Sequence, residues 1–93
     1  MELIHEPNRI YGLSESGNLI AEITFPPCDS DVVDIDHTFV SPLLRGQGVA
    51  DKLVRAAAEE IRNDGKKAVV SCSYAVRWFA EHPEFSEVLV SKP

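Results

Sequence analysis

A short loop of small residues, just before a predicted helix, has the clearest chemical potential in the chain. The loop comprises Arg45, Gly46, Gln47, Gly48, Val49 and Ala50. Two glycines and an alanine remove side-chain bulk there, so a ligand can approach the backbone closely. The first N–H groups of a helix lack intrahelical partners, and the helix dipole adds positive potential at the same end. We therefore predict an anion site at this loop, and a diphosphate is the natural candidate.

The loop does not match two better-known phosphate-binding motifs. The glycines are not followed by the Gly-Lys-Ser or Gly-Lys-Thr of a P-loop, and the three-glycine dinucleotide fingerprint is absent. Taken alone, the segment is also compatible with a glycine-containing turn that binds nothing. Its position between a predicted strand and a predicted amphipathic helix favours the binding interpretation.

Two reactive side chains are expected close to each other near this loop. Cys72 ends a predicted strand, Ala68 to Cys72, and precedes a predicted helix whose start would favour the thiolate. Reactive groups often collect at this edge of an α/β sheet. His37 lies on the neighbouring predicted strand, where an imidazole can accept a proton from an ammonium or pair with Cys72. The alternative for both residues is a packing role.

A predicted strand, helix and strand over residues 32 to 72 position the loop. Residues 32 to 40 alternate between apolar and polar side chains. One face is predicted to carry Val33, Ile35 and His37, and the other Asp34, Asp36 and Thr38. Residues 48 to 64 repeat apolar side chains at helical spacing, and Gly65 suits a left-handed cap. Because parallel strands need such a crossover, residues 68 to 72 should pair in parallel with residues 32 to 40.

The chain before this unit predicts short strands and turns. A turn at Pro7-Asn8 and a strand over residues 9 to 14 suggest a first hairpin. Residues 18 to 25 predict a further strand, rich in β-branched and aromatic side chains, that Pro26-Pro27 must end. A polar loop from Cys28 to Asp31 is expected next.

The chain after this unit predicts one helix and one strand. The helix should run from Ser73 to Glu81, with Ser73 as its N-cap. Its apolar stripe is predicted to contain Val76, Phe79 and Ala80. His82-Pro83 should stop the helix, and residues 85 to 90 predict a last strand.

Composition limits the classes of partner. The 93 residues can close one core, so a single domain over residues 1–93 is expected. Nine Lys and Arg against fifteen Asp and Glu give a net charge of -6, which disfavours a nucleic-acid partner. The sequence has neither signal-peptide features nor a membrane-length apolar run, so we expect no membrane association and a cytoplasmic location. Its two cysteines predict free thiols, and no metal-ligand spacing is present.

The loop and three further segments resemble the GNAT superfamily of acyl-CoA N-acyltransferases. Arg45, Gly48 and Ala50 occupy the defining positions of its acyl-CoA loop, Arg/Gln-x-x-Gly-x-Gly/Ala. The other segments resemble the minimal YjdJ-type branch of single-domain N-acetyltransferases, and they are His37-Thr38-Phe39-Val40, Ser71-Cys72-Ser73-Tyr74 and His82-Pro83-Glu84-Phe85. The resemblance covers roughly residues 9 to 88.

The resemblance implies an α+β (mixed α/β) fold and a cofactor. The sheet would be mostly antiparallel, with one parallel βαβ crossover and a splayed strand pair that holds the pantetheine arm of acetyl-CoA. The loop from Arg45 to Ala50 would bind the pyrophosphate of acetyl-CoA or CoA. Tyr74 would lie near the thioester and donate a proton to the departing thiolate. Cys72, His37 and Tyr74 are thus the candidate catalytic residues.

The resemblance also implies transfer of an acetyl group to an amine, either a small molecule or a protein lysine. Two departures concern this step. The pair of helices that the superfamily usually has between its first two strands is missing, and no Glu is placed by motif as a general base. Two other functions therefore stay open: a non-catalytic acyl-CoA-binding module, and a thioesterase that uses Cys72 with His37.

Overall fold

Two small β-sheets and two helices form the protein, whose computed structural model describes residues 2–90. In chain order the strands are β1 (Ile4–Glu6), β2 (Arg9–Leu13), β3 (Leu19–Thr24), β4 (Pro27–Asp29), β5 (Val32–Ile35), β6 (His37–Val40) and β7 (Lys67–Val70). The helices are α1 (Val49–Asn63) and α2 (Ser73–Glu81). One sheet has the order β1-β2-β3-β6 and the other β4-β5-β7, and among these seven strands β5 and β7 are the parallel pair. The predicted mixed architecture is confirmed.

The predicted strand over residues 32 to 40 divides at Asp36 into β5 and β6. The first half pairs in parallel with β7, whereas the second half pairs antiparallel with β3. Asp36 is held at the division by Thr24. Its N–H donates to the Thr24 carbonyl at 3.3 Å, and its Oδ1 accepts from the Thr24 hydroxyl at 2.6 Å. One continuous stretch of chain therefore belongs to two sheets.

The division at Asp36 also changes which side chains face the core. Val33 and Ile35 are buried as predicted, but Asp36 and His37 are both exposed. Thr38 takes the inward position, because it lies opposite buried Ile23 and cross-strand partners project from the same face. The predicted faces of His37 and Thr38 are therefore wrong. The two-residue alternation does not continue through the irregularity.

The predicted crossover unit is confirmed, with α1 connecting β6 to β7. The buried face of α1 packs in one core with side chains from both sheets, and it consists of Val49, Leu53, Val54, Ala57, Ala58 and Ile61. Gly48 and Gly65 flank the helix, and both adopt left-handed backbone conformations, with φ of 70° and 68°. The helix thus fixes the small-residue loop at one end and the entry to β7 at the other.

Helix α2 has the predicted bounds but a different cap and a different rotation. Cys72 is its N-cap, and Ser73 is already helical. The buried face consists of Ala75, Trp78 and Phe79. Of the predicted stripe only Phe79 is buried, while Val76 is 53% exposed and Ala80 is exposed as well. The large indole of Trp78 takes the inward position because its burial removes more apolar surface from water.

Two short segments differ from the sequence prediction. Residues 27–29 form the edge strand β4 where a polar loop was predicted, because a proline is tolerated at the start of an edge strand. Residues 83–88 form a 3-10 helix in place of the predicted last strand, with Phe85 and Val88 buried three positions apart. In this last segment, strand-like pairing is limited to a bridge between Leu89 and Ala68.

Neither helix among the described residues has the length and apolar content needed to cross a membrane.

Candidate functional site

The small-residue loop forms an open cradle at the start of α1. A short 3-10 turn, Pro42–Leu44, leads into it, and Gly46 and Gly48 have φ of 79° and 70°. Gly48 is the N-cap of α1, so no side-chain hydrogen bond caps this helix. A Cβ built on either glycine would meet nothing within 4 Å. The first N–H groups of α1 are therefore directed to a space that the glycines leave open.

A cavity of about 260 Å³ lies over this cradle. It is lined by Val40, Leu44, Arg45, Gly46, Gly48, Val49, Ala50, Asp51 and Tyr74. Gln47 lines a different cavity of about 140 Å³, beside Leu3 and Lys52. The side chain of Val49 is buried in the core, so this residue offers a ligand its backbone. The structure thus brings five of the six predicted loop residues to one cavity and places Gln47 at another.

Asp51 contributes a carboxylate to this cavity, and its charge has partners of its own. Its Oδ1 accepts a hydrogen bond from Trp78 Nε1 at 2.7 Å. Arg55 Nη2 and His82 Nε2 each lie 3.7 Å from the same oxygen. A negative charge in the first turn of α1 also interacts favourably with the helix dipole. Asp51 therefore serves to attach α2 to α1, and this attachment holds Tyr74 at the cavity.

The edge of β6 that faces away from β3 offers backbone hydrogen-bonding groups. The Ser41 N–H donates to the Ile20 carbonyl at 2.8 Å, which marks this pair as hydrogen-bonded. Hydrogen-bonded and non-hydrogen-bonded pairs alternate along an antiparallel ladder. The N–H and C=O groups of Thr38 and Val40 therefore point away from β3, into the gap that separates β6 from β7.

The gap is closed at the end that lies farthest from the loop. The backbone N–H groups of Ser71 and Cys72 both donate to the carbonyl of Ile35, at 3.0 and 3.1 Å. Beyond this point the chain from β7 turns into α2, whereas β6 continues along β3. The gap between β6 and β7 thus begins at Ile35 and leads toward Val40, which also lines the cavity over the loop.

Cys72 lies at the closed end of this gap, in contact with Thr38. Its Sγ is 2.9 Å from the Thr38 Oγ1, and either atom can be the donor. Burial raises the pKa of the Cys72 thiol, but the Thr38 hydroxyl and the backbone N–H groups of Ala75 and Tyr74 outweigh it and lower the pKa overall. The thiol makes no cap hydrogen bond, so these N–H groups act mainly as the positive end of α2.

Tyr74 is half-buried in the first turn of α2 and lines the cavity. Burial raises the pKa of its phenol above the ordinary value of 10.0, and the negative charges of Asp51 and Glu81 raise it further, against the opposing charge of Arg77. The phenol therefore stays protonated across the neutral range. Such a group can donate a proton but cannot serve as a base there.

His37 lies on the face of the first sheet that is opposite the core. It pairs with Thr24 across the ladder, and its side chain is 52% exposed. Its Nε2 lies 3.5 Å from Oε1 of Glu22, a residue whose neighbours Ala21 and Ile23 are both buried. The side-chain partner of Cys72 is Thr38 on the inward face, so the predicted pairing of Cys72 with His37 is wrong.

Sequence reasoning missed three functional candidates: Thr38, Asp51 and Glu22. Thr38 was placed on the wrong face because the alternation was extended through Asp36. The position of Glu22 could have been predicted, since a carboxylate between two apolar residues of a strand indicates the uncovered face of a sheet. Within residues 2–90, no cluster of His, Cys, Asp and Glu side chains has the arrangement needed to hold a metal ion.

Comparison with solved structures identifies proteins of the same shape. The structure matches the solution structure of a GCN5-like protein from Staphylococcus aureus with a TM-score of 0.80 and 34% identity, over 99% of this chain and 90% of that one. It also matches an IAA acetyltransferase from Bacillus cereus with a TM-score of 0.61 and 19% identity, over 78% of this chain and 51% of that one. The second match, at this low identity, concerns the fold alone.

Sequence comparison gives the same family. Protein NATD1 from Homo sapiens is 35% identical over 52 residues, which are 56% of this chain and 46% of NATD1. NATD1 from Gallus gallus has the same identity over 52 residues, and the chain thus aligns with about half the length of these relatives. The sequence model of the GCN5-related N-acetyl-transferase family matches residues 10–88. With most of its length covered by that match, the chain belongs to the GCN5-related N-acetyltransferase family.

Proposed function

We propose that this chain binds acetyl-CoA along the gap between β6 and β7 and transfers the acetyl group to an amine. The observation that carries the proposal is the continuity of this gap with the cavity over the loop, because Val40 borders both. A diphosphate fits the cradle of Gly46, Gly48 and the first N–H groups of α1. An extended arm with amide groups can hydrogen-bond to the edge of β6 as an added strand would.

Most of the groups that would hold the cofactor belong to the backbone. Gly46, Gly48 and Ala50 would donate N–H groups to the diphosphate, and exposed Arg45 would add a positive charge at the cavity rim. The backbone groups of Thr38 and Val40 would hold the pantetheine arm. Bound in this way, acetyl-CoA supplies a thioester whose carbonyl carbon is open to attack by an amine.

Protein groups on both sides of the gap would assist the transfer. A backbone N–H on the edge of β6 would polarise the carbonyl by hydrogen bonding. The protonated phenol of Tyr74 would donate its proton to the departing thiolate and recover one from solvent. His37, on the exposed face of β6, would accept the proton that the amine must lose. Polyamines and lysine-rich peptides are reasonable first acceptors, because a net charge of -6 attracts cations.

Cys72 would line the end of the gap beside the acetyl group. Its contact with Thr38 fills the closed end, where Ile35 already joins the two chain segments. A proton acceptor such as His37 does not lie beside the thiol, since His37 projects from the opposite face. Direct attack by the amine is therefore favoured over a covalent route through Cys72, which a thioesterase would need.

The first prediction tests the cradle by adding one methyl group to it. Gly48→Ala should weaken CoA binding at least about tenfold, near 1.4 kcal/mol, because the new Cβ occupies the space that the diphosphate needs. Isothermal titration calorimetry measures this affinity. A left-handed alanine also costs about 1–2 kcal/mol of stability, and this loss must be separated from the loss of binding.

Gly65→Ala is the matched control for Gly48→Ala. Gly65 lies at the other end of α1 and has a φ of 68° against 70° for Gly48, and a Cβ added to it would likewise meet nothing within 4 Å. The two variants should therefore lose similar stability in thermal unfolding. Gly65→Ala should bind CoA like the unchanged protein. Equal CoA affinities in two folded variants would contradict the placement of the diphosphate.

The second prediction separates an enzyme from a binding module. Incubation with acetyl-CoA and a panel of primary amines should release free CoA faster than incubation without amine, as a thiol reagent can record. Tyr74→Phe should slow this release by about a hundredfold while leaving CoA affinity unchanged, since it removes only a proton donor. Because the pKa of Tyr74 lies above 10.0, its ionisation should not reduce the rate below about pH 10.

The controls for this assay assign the alternative functions. Release that does not depend on amine would favour a thioesterase, and tight CoA binding without any release would favour a binding module. Tyr11→Phe is a suitable control variant, because Tyr11 lies on the outer face of β2, away from the cavity. It should leave the rate of CoA release unchanged.

The third prediction concerns the Cys72 thiol, measured in a Cys28→Ser background so that only one thiol reacts. A lowered pKa means that the thiolate persists to lower pH, so iodoacetamide should modify Cys72 at a lower pH than it modifies an unstructured cysteine peptide. Thr38→Val removes the hydroxyl that stabilises the thiolate and should move the profile to higher pH. If the pH dependence of modification were the same for the peptide, for Cys28→Ser and for Cys28→Ser with Thr38→Val, the lowered pKa of Cys72 would be contradicted.

A lining role for Cys72 also predicts its chemistry toward acetyl-CoA. Intact mass after brief exposure should show no acetyl adduct on Cys72, and Cys72→Ala should keep most of the amine-dependent activity. The opposite result would be an acetyl adduct on Cys72 that is removed when amine is added. If Cys72→Ser then lost both this adduct and turnover, the thiol would carry the acetyl group.

A further inference from the structure

The outer face of the first sheet carries a polar cluster around Glu22 that the cofactor site does not use. Glu22 lies on β3 between Tyr11 on β2 and Phe39 on β6, which are its partners across the ladders. Its side chain is only 16% exposed. One carboxylate oxygen, Oε2, accepts from Arg9 Nε at 2.6 Å, while the other, Oε1, lies 3.5 Å from His37 Nε2. The two oxygens thus have separate partners.

This arrangement has a direct consequence for the ring of His37. A nitrogen lone pair on Nε2 would face the negative charge of Oε1, so the neutral ring favours hydrogen on Nε2. The free lone pair is then on Nδ1, the nitrogen that does not face Glu22. Arg9 in turn holds Glu22 in place, since its Nε donates to Oε2 and its guanidinium lies 3.8 Å from the centre of the Tyr11 ring.

His37 lies on the face of β6 from which an acceptor can reach the gap. The inward face of β6 is occupied, because Val40 packs against the core and Thr38 contacts Cys72. The opposite face carries His37 and Phe39, both exposed and without a covering element among the described residues. An amine approaching from that side meets His37, one residue from Thr38 at the closed end of the gap.

We propose that Glu22 is a positioning residue that holds the His37 ring with Nδ1 free to accept a proton from the acceptor amine. This inference rests on the proposed acetyl transfer. The N–H bond of the ammonium breaks, its electron pair stays on nitrogen for attack, and the proton goes to Nδ1. The imidazolium then faces the Glu22 carboxylate at 3.5 Å and releases the proton to solvent, because the His37 side chain is half exposed. The other charged or titratable groups around the pair are Arg9, Tyr11, Glu6 and Asp36.

Glu22→Ala and Glu6→Ala form a matched pair of variants that tests the proposal. Both carboxylates bind Arg9, at 2.6 and 3.3 Å, but only Glu22 approaches His37. Glu22→Ala should lower kcat for amine acetylation at least about tenfold, with KM for the amine and the Kd of CoA within about twofold. Glu6→Ala should keep kcat within about twofold. His37→Gln should lower kcat by about a hundredfold, and adding Glu22→Ala to it should cause little further loss.

A spectroscopic measurement separates positioning from a merely structural effect. In ¹⁵N-labelled protein at a pH where the imidazole is neutral, the two nitrogen shifts of His37 should indicate hydrogen on Nε2. Glu22→Gln keeps the shape of the side chain but removes its charge, and should move the ring toward a mixture of tautomers. Glu6→Ala should leave both shifts unchanged.

The outcomes distinguish failure of this proposal from failure of the proposed function. If the unchanged protein acetylates amines but Glu22→Ala keeps its kcat, or loses no more than Glu6→Ala does, the positioning role is wrong and the acetyl transfer stands. An unaltered His37 tautomer in Glu22→Gln would likewise overturn the positioning role. If the unchanged protein binds CoA tightly but transfers no acetyl group to any amine, both proposals fail together.

Discussion

The division of one strand at Asp36 is the constraint on which the rest of the structure depends. A straight strand over residues 32 to 40 would pair with β7 along its length, and the two sheets would merge. Instead, β5 stays with β7 and β6 follows β3, with Asp36 held to Thr24 through both backbone and side chain. The resulting gap exposes the backbone edge of β6. An extended ligand can bind to such an edge without any dedicated side chains.

The side of the site that the first turn of α2 forms depends on the attachment of α2 to α1. Asp51 accepts from the indole of Trp78 at 2.7 Å, and His82 stacks on that indole with the ring centres 4.0 Å apart. These contacts orient α2 so that its first turn faces the gap, with Cys72 at the closed end and Tyr74 at the cavity. The described residues thus form both sides of the site from elements that also close the core.

The sequence predicted the elements whose pattern is local and missed the features that depend on tertiary contacts. The amphipathic period of α1 and the flanking glycines were sufficient for the helix and its loop, and the crossover then implied the parallel pairing of β5 with β7. The rotation of α2 could not be predicted from its own residues, because the buried indole of Trp78 also donates a hydrogen bond to Asp51, 27 positions earlier in the chain. Likewise, the bend at Asp36 depends on Thr24, so the faces of His37 and Thr38 were exchanged.

The candidate site was therefore predicted unevenly. Most of the loop and Tyr74 line one cavity, as the family resemblance implied when it placed the loop and Tyr74 on the same cofactor. Gln47 lies at another cavity, and His37 projects from the opposite face to Cys72. Glu22 belongs to no local motif, and the pairing of β6 with β3 brings it close to His37. Thr38 lies in a segment that resembles the family, but its contact with Cys72 depends on tertiary structure.

The central claim, that CoA lies along β6 from the cradle to the closed end of the gap, is tested most directly by an NMR titration of ¹⁵N-labelled protein with CoA. The largest amide shifts are expected at Gly46 and Gly48 in the cradle and at Thr38 and Val40 on the edge of β6. The amides of Tyr11 and Glu22 on the neighbouring strands should move much less. Saturable shifts confined to the cavity of about 330 Å³ beside Val69 and Leu89, with the cradle unmoved, would contradict the account.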